Sequence, residues 1–258
     1  MKASLTGAAA SFIPAVINAS KDSGKKTVAE YYELRVYSLK NDTQQKLVED
    51  YFSRAAIPAL NRLDVKHVGV FTELKPNGQT RLFVIIQYNS IEHFTKVSAA
   101  LEDDAVYKQQ GAPYLNAPAK EAAYERIESS LLKAFAHMPK MEVPAATTRI
   151  FELRQYQSAS EAAGKKKIEM FNDKGEIDIF KRLGFKPVFF GETIIGDQRP
   201  NLTYMVTFDD MAAHDAHWKS FGSDKEWKEI SAVPEYADAL LVSKITPTFI
   251  VPTAYSQL

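Results

Sequence analysis

The chain has 258 residues, with 32 Lys plus Arg against 32 Asp plus Glu, and 45% of it is hydrophobic. The even balance leaves no basic field to hold nucleic acid, and the apolar share is enough for real cores. The absence of cysteine excludes disulfides, thiolate metal sites and a cysteine nucleophile, and no uniformly apolar stretch is long enough for a transmembrane helix.

Residues 1–27 differ from all that follows. "MKASLTGAAASFIPAVINAS" is small and apolar, lacks acids, and precedes the charged "KDSGKK". This is the general profile of an export leader, although only Lys2 supplies positive charge at the front and no clean small-x-small site stands near Ala19. A flexible tail and a short docking helix are the alternatives. A working leader places the protein in the periplasm; otherwise the cytoplasm is expected.

"YYELRVY" then alternates, rich in Tyr and Val, and reads as a strand. From Asp42 to Leu63, the positions of Leu47, Tyr51, Ala55 and Leu63 approach helical spacing, with Asn41 or Asp42 as cap and Pro58 as a bend or break. "VKHVGVF" and "RLFVIIQY" are strands joined by a hairpin at Asn77-Gly78. Asn89 and Ser90 cap a second helix, "GAPYLNAPAKE" reads as a loop, and "IESSLLKAF" closes the unit.

The order then repeats. Glu33-Leu34-Arg35-x-Tyr37 recurs as Glu152-Leu153-Arg154-x-Tyr156 at an offset of 119. An offset of 120 carries "IPALNRLDVKHV" onto "IDIFKRLGFKPV", "LFVIIQYNS" onto "LTYMVTFDD" and "DAVYKQ" onto "DKEWKE". For the last strand an offset of 114 sets Ile127 over Leu241, with about six extra residues in the first copy. The chain is therefore a tandem duplication, with units at 28–138 and 147–253 around "HMPKMEVPAATT". Strand-helix-strand twice per unit is an α+β arrangement, the ferredoxin-like plait: an antiparallel sheet with helices on one face.

"YELRVY", "FKRLGFKPV" leading into "FFGE", "YMVTFDD" and "HWKSFGSDKEWKEI" resemble the NIPSNAP family, closely in the second copy and more loosely in the first. The resemblance implies two tandem dimeric α+β barrel domains, with the ferredoxin-like sheets paired within one chain and a homo-oligomer left open. It implies no settled reaction, and fold alone does not give function.

Period-two geometry puts Glu33, Arg35 and Tyr37 on one face of the first strand and Leu34 and Val36 on the other; Glu152, Arg154 and Tyr156 repeat this. With the aliphatic face under the helices, both polar triplets are expected in the barrel interior. There they hold a carboxylate or enolate-like ligand, or else form ion pairs that fix how the sheets meet. His214 and His217 replace Phe94 and Val97 of the first copy, beside Trp218. They suit a shared metal, an acid-base pair or a ligand pocket, half-buried imidazoles bonded to the sheet, or a helix turned so that Trp218 packs inward and the histidines sit at its edge. Glu192 is a further candidate to point into the barrel.

No phosphate loop, nucleophile elbow or His-Glu-x-x-His is present, and no third ligand accompanies the histidines, so no cofactor and no metal is expected. The leading expectation is a barrel that binds, and without cofactor transforms, a small organic acid or aromatic molecule. The alternative is a non-catalytic interaction or assembly module, and a heme role ranks behind both.

Overall fold

The computed structural model of the chain describes residues 28–145, 147 and 149–258. The leader-like segment lies outside the described residues.

The first unit runs β1 (Tyr31–Leu39), α1 (Asp42–Tyr51), a π turn at Phe52–Ala56, α2 (Ile57–Arg62), β2 (Val68–Glu73), β3 (Thr80–Tyr88), α3 (Ile91–Asp103), α4 (Ala105–Leu115) and β4 (Arg126–Ala134). The second runs β5 (Ile150–Gln157), α5 (Glu161–Asn172), α6 (Glu176–Arg182), β6 (Lys186–Ile195), β7 (Asn201–Phe208), α7 (Met211–Ser223), α8 (Lys225–Ser231), a 3-10 turn at Pro234–Tyr236, α9 (Asp238–Leu241) and β8 (Lys244–Pro252). Caps fall where short polar side chains precede the helices. Asn41, Ser90 and Asp210 accept backbone N–H groups of Gln44, His93 and Ala213. Pro58 cannot donate to the preceding turn, and the π turn just before it absorbs the mismatch without ending the helix. The segment "GAPYLNAPAKE" is a loop only in its second part. Gly111 and Pro113 continue α4, because Gly111 lets the helix approach Ala55 and Tyr114 stacks on Tyr51 at 3.8 Å.

All strands are antiparallel and close into one barrel in the order β1-β3-β2-β8-β5-β7-β6-β4. Each plait contributes four strands, and the seams are β2 with β8 and β4 with β6. The duplication therefore yields a single eight-stranded barrel rather than two separate domains. The β2–β8 seam is short, Phe71–Glu73 against Ile250–Pro252, and the C-terminal tail extends it: Thr253 and Gln257 donate to the carbonyls of Val70 and Val68. The register also corrects the last strand. Ile127 faces Tyr37 and Ile245 faces Tyr156, an offset of 118 rather than 114, so the first copy carries less extra chain than the sequence match implied.

The centre of the barrel interior is apolar, with Gln87, Thr203 and Thr207 buried on the same face. Tyr32, Leu34, Phe71, Phe83, Phe151, Leu153, Phe189 and Met205 fill it, with Phe71 against Phe151 and Tyr32 against Phe189, both at 5.0 Å between ring centroids. This reverses the expected orientation of the triplets. Leu34 and Leu153 point inward, whereas Tyr37 and Tyr156 belong to the two clusters between the sheet and its helices. Each sheet is covered twice, by helices outside and by the opposite sheet inside. Both faces of β1 and β5 are buried, and alternation alone does not say which face is which.

Candidate functional site

On the outer face of the second half, the ladder sets side chains in rows across three strands. Glu192, Leu202 and Tyr156 form one row, Phe190, Tyr204 and Arg154 the next, and Val206 and Glu152 the third. Helices α5 to α8 cover these rows, so groups from β5 and from the helices meet in one buried layer.

Glu152 is 1% exposed and is the hub of that layer. Its Oε1 accepts from Arg154 Nη1 at 2.7 Å and its Oε2 from Trp218 Nε1 at 3.0 Å. His214 Nε2 lies 3.3 Å from Oε2 without hydrogen-bond alignment, while its Nδ1 meets Asp215 at 2.8 Å. Arg154 also donates to the Tyr156 hydroxyl at 3.0 Å and lies 4.5 Å over the Trp218 ring. Burial works against its charge, but Tyr204, Tyr156 and Glu152 hold its pKa above the usual arginine value. Glu152, Arg154, Tyr156, His214 and Trp218 are thus one constellation, with Trp218 turned inward.

His217 stands apart. Its Nδ1 meets the Ala213 carbonyl of its own helix at 2.6 Å, and its ring packs on Phe185 and Phe208 above Gly184. Glu192 does not enter the barrel. It shares the helix side with Phe190 and Tyr156 and lines, with Gly164, Lys165 and Arg199, a cavity of about 220 Å³ under α5. Among the described residues, no group of three or more His, Cys, Asp or Glu is placed to hold a metal ion.

The first half uses its triplet differently. Glu33 accepts two bonds from Arg35 at 2.6 and 2.8 Å, one from Ser129 at 2.9 Å and one from Tyr88 at 3.2 Å. Burial alone would raise the Glu33 pKa, but Arg35, Ser129 and Tyr88 outweigh it and hold the carboxyl below its usual range. Tyr37 is closed off by Tyr114, 3.1 Å away. Phe208 stands in the place of Tyr88 and has no hydroxyl, so Trp218 takes over as a donor to the carboxylate.

The triplets did not reveal the most unusual groups. With offsets of 119 and 120 carried into the helices, Lys167 replaces Val48 and Glu176 replaces Ala56; in the strands, Tyr204 replaces Val84. All six positions are buried. The Lys167 ammonium bonds to Asp238 Oδ1 at 3.1 Å and lies 5.4 to 5.7 Å from the rings of Phe171, Tyr156 and Trp227. Its distance to Glu176 Oε2 is 4.0 Å, too long for a hydrogen bond. Burial raises the Glu176 pKa to about 7 despite Lys167. For Lys167, burial is outweighed by Glu176 and Asp238, which keep it charged. Arg154 Nε, Tyr204 Oη and Glu176 Oε2 have no hydrogen-bond partner. In the sequence these groups are marked only by charge in place of hydrocarbon between the copies, Lys167 against Val48 and Glu176 against Ala56.

The NIPSNAP family model matches residues 32–139 and 151–257. The chain belongs to the NIPSNAP family. Its two family units are the two half-barrels that place one triplet each. Among solved structures, the fold is similar to that of a candidate monooxygenase from Fusobacterium nucleatum, at 12% identity and a TM-score of 0.58 over 87% of this chain and 93% of that one. It is similar also to a candidate monooxygenase from Lactobacillus acidophilus, at 9% and 0.57 over 87% and 94%. An anthrone oxidase-like protein matches at 12% and 0.54 over 87% and 92%. At these identities the likeness is one of fold. No curated protein matches the chain. No helix among the described residues is long and apolar enough to cross a membrane.

Proposed function

We propose that this NIPSNAP protein binds a small organic acid or aromatic molecule in the second half, between the outer face of β5–β7–β6 and its helices, and not in the barrel interior. The observation that carries this reading is a group of buried polar atoms left without partners there, Arg154 Nε, Tyr204 Oη, Glu176 Oε2 and His214 Nε2; at the matching positions Val84, Ala56 and Phe94 replace the last three, and Arg35 Nε donates to Glu33. Buried groups without partners cost free energy, and a ligand that satisfies them recovers it. Arg154 supplies a donor for an anion, Tyr156 and Tyr204 supply ring faces, and Glu176, neutral or ionised near pH 7, can give or take a proton. The candidate-monooxygenase and oxidase-like names of fold neighbours are compatible with turnover of such a ligand, as an analogy only. The test is equilibrium binding of small aromatic carboxylates to the parent, Arg154→Gln and Arg35→Gln. Binding that is lost only in Arg154→Gln supports the reading, whereas equal loss in both variants contradicts it.

The assembly-module reading rests on a different observation, the apolar cluster that fills the centre of the interior and the saturated Glu33, which serve to join two sheets. It is preferred if no carboxylate binds to any of the three proteins.

A further inference from the structure

Lys167 is 2% exposed, yet its single carboxylate hydrogen-bond partner comes from the rim: the Asp238 side chain is 56% exposed. Asp238 opens α9, a helix of four residues preceded by the 3-10 turn at Pro234–Tyr236. This segment is not built into the main core of the second half. Its Tyr236 and Leu241 pack with Met170 in a small separate cluster, bordered by Trp227 and Ile230. Beside it lies an open cavity of about 380 Å³, lined by Ile230, Val233 and Tyr236, with Lys174, Glu229 and Glu235 at its edge.

We infer that the Lys167 ammonium is the binding point for a ligand carboxylate, that the Asp238 carboxylate occupies this place in the free protein, and that Pro234–Leu241 is the cover the ligand displaces. The inference rests on the second-half site proposed above and gives its ligand a chemical class, a monocarboxylate with an apolar body. A buried ammonium is costly to leave without a counter-ion, and one carboxylate can replace another on it without that cost being incurred. Glu176 does not fill the role, since it stands 4.0 Å away and burial favours its neutral form. Once Asp238 leaves, Met170, Trp227 and Ile230 offer an apolar wall for the body of the ligand. The first half has neither the charge nor the exchangeable partner at this position, because Val48 occupies it.

The experiment titrates the full chain with benzoate, phenylacetate and octanoate, with benzamide as the neutral counterpart. Its two tryptophans, Trp218 and Trp227, both border the layer, and their fluorescence reads the binding. The variants are Asp238→Asn and the double variant Lys167→Met/Glu176→Gln, which removes the buried ammonium and the buried acid beside it together. Removal of the internal competitor is expected to tighten carboxylate binding by about tenfold in Asp238→Asn, since a larger share of molecules is then open to the ligand. Benzamide is expected not to bind, and the double variant, folded by its melting curve, to lose the carboxylates. Carboxylate binding that is unchanged or weaker in Asp238→Asn overturns the inference while leaving the second-half site in place. Binding of benzamide equal to that of benzoate also overturns it. Absence of binding to every protein overturns both. If the double variant does not fold, Asp238→Asn alone decides.

Discussion

Replacement of Glu176 by Gln should change the pH dependence of stability in one direction only. The Glu176 carboxyl is 3% exposed, and burial raises its pKa from an ordinary 4.5 to about 7. Because the folded value lies above the unfolded one, the contribution of the protonated group is fully present below the unfolded value. It is lost as pH rises through about 7. A difference of this size corresponds to about 3 kcal/mol in all, of which about 2 to 3 kcal/mol falls between pH 5 and 8. Glutamine has the shape of the protonated acid and does not titrate. The difference in unfolding free energy, parent minus Glu176→Gln, should therefore fall by that amount from pH 5 to pH 8. His67, whose pKa burial lowers, and Glu33, whose ion pair holds its pKa down, titrate alike in both proteins and cancel in the difference. Urea unfolding at four or five pH values supplies the numbers. Parallel pH profiles for the two proteins would refute the assignment of Glu176 as a buried acid with a raised pKa.

Trp218→Phe removes a donor from the buried Glu152 and should cost about 1 to 3 kcal/mol in denaturant unfolding, whereas Ser98→Ala at the matching position should change stability by under about 0.5 kcal/mol. Phe151→Ala opens a hole in the barrel interior and should cost about 3 to 5 kcal/mol by the same measurement. His214→Phe with His217→Val should melt within a few degrees of the parent, because Glu152 keeps Arg154 and Trp218 and the His217 bond lies within its own helix.

The duplication could be read in the sequence because Glu-Leu-Arg-x-Tyr recurs with its flanks, and the plait followed from strand and helix order. The side each triplet takes could not be read. Tyr32, Leu34 and Val36 are as compatible with a helix-covered face as Glu33, Arg35 and Tyr37 are with a barrel interior, and both faces are buried. Trp218 turns inward because the buried Glu152 has no tyrosine hydroxyl of the Tyr88 kind to satisfy it, but His214 stays in the same layer beside Glu152, so only His217 takes the edge position that such a turn implies. An inward Glu192 follows only from a polar interior, and the strand register sets it instead beside Leu202 on the helix side. Lys167 and Glu176 carry no motif. Their burial is set by packing of α5 on β7, of α6 on β6 and of the two helices on each other, which residue spacing within each helix does not reveal.

A ligand site in the helix-covered layer of the second half is tested most directly by anomalous scattering. A crystal of the full chain with a brominated aromatic carboxylate should show its bromine peak between β5–β7–β6 and α5 to α9, near Lys167 and Arg154. A peak in the barrel interior, or in the open cleft of the first half between Lys40 and Arg126, would contradict it.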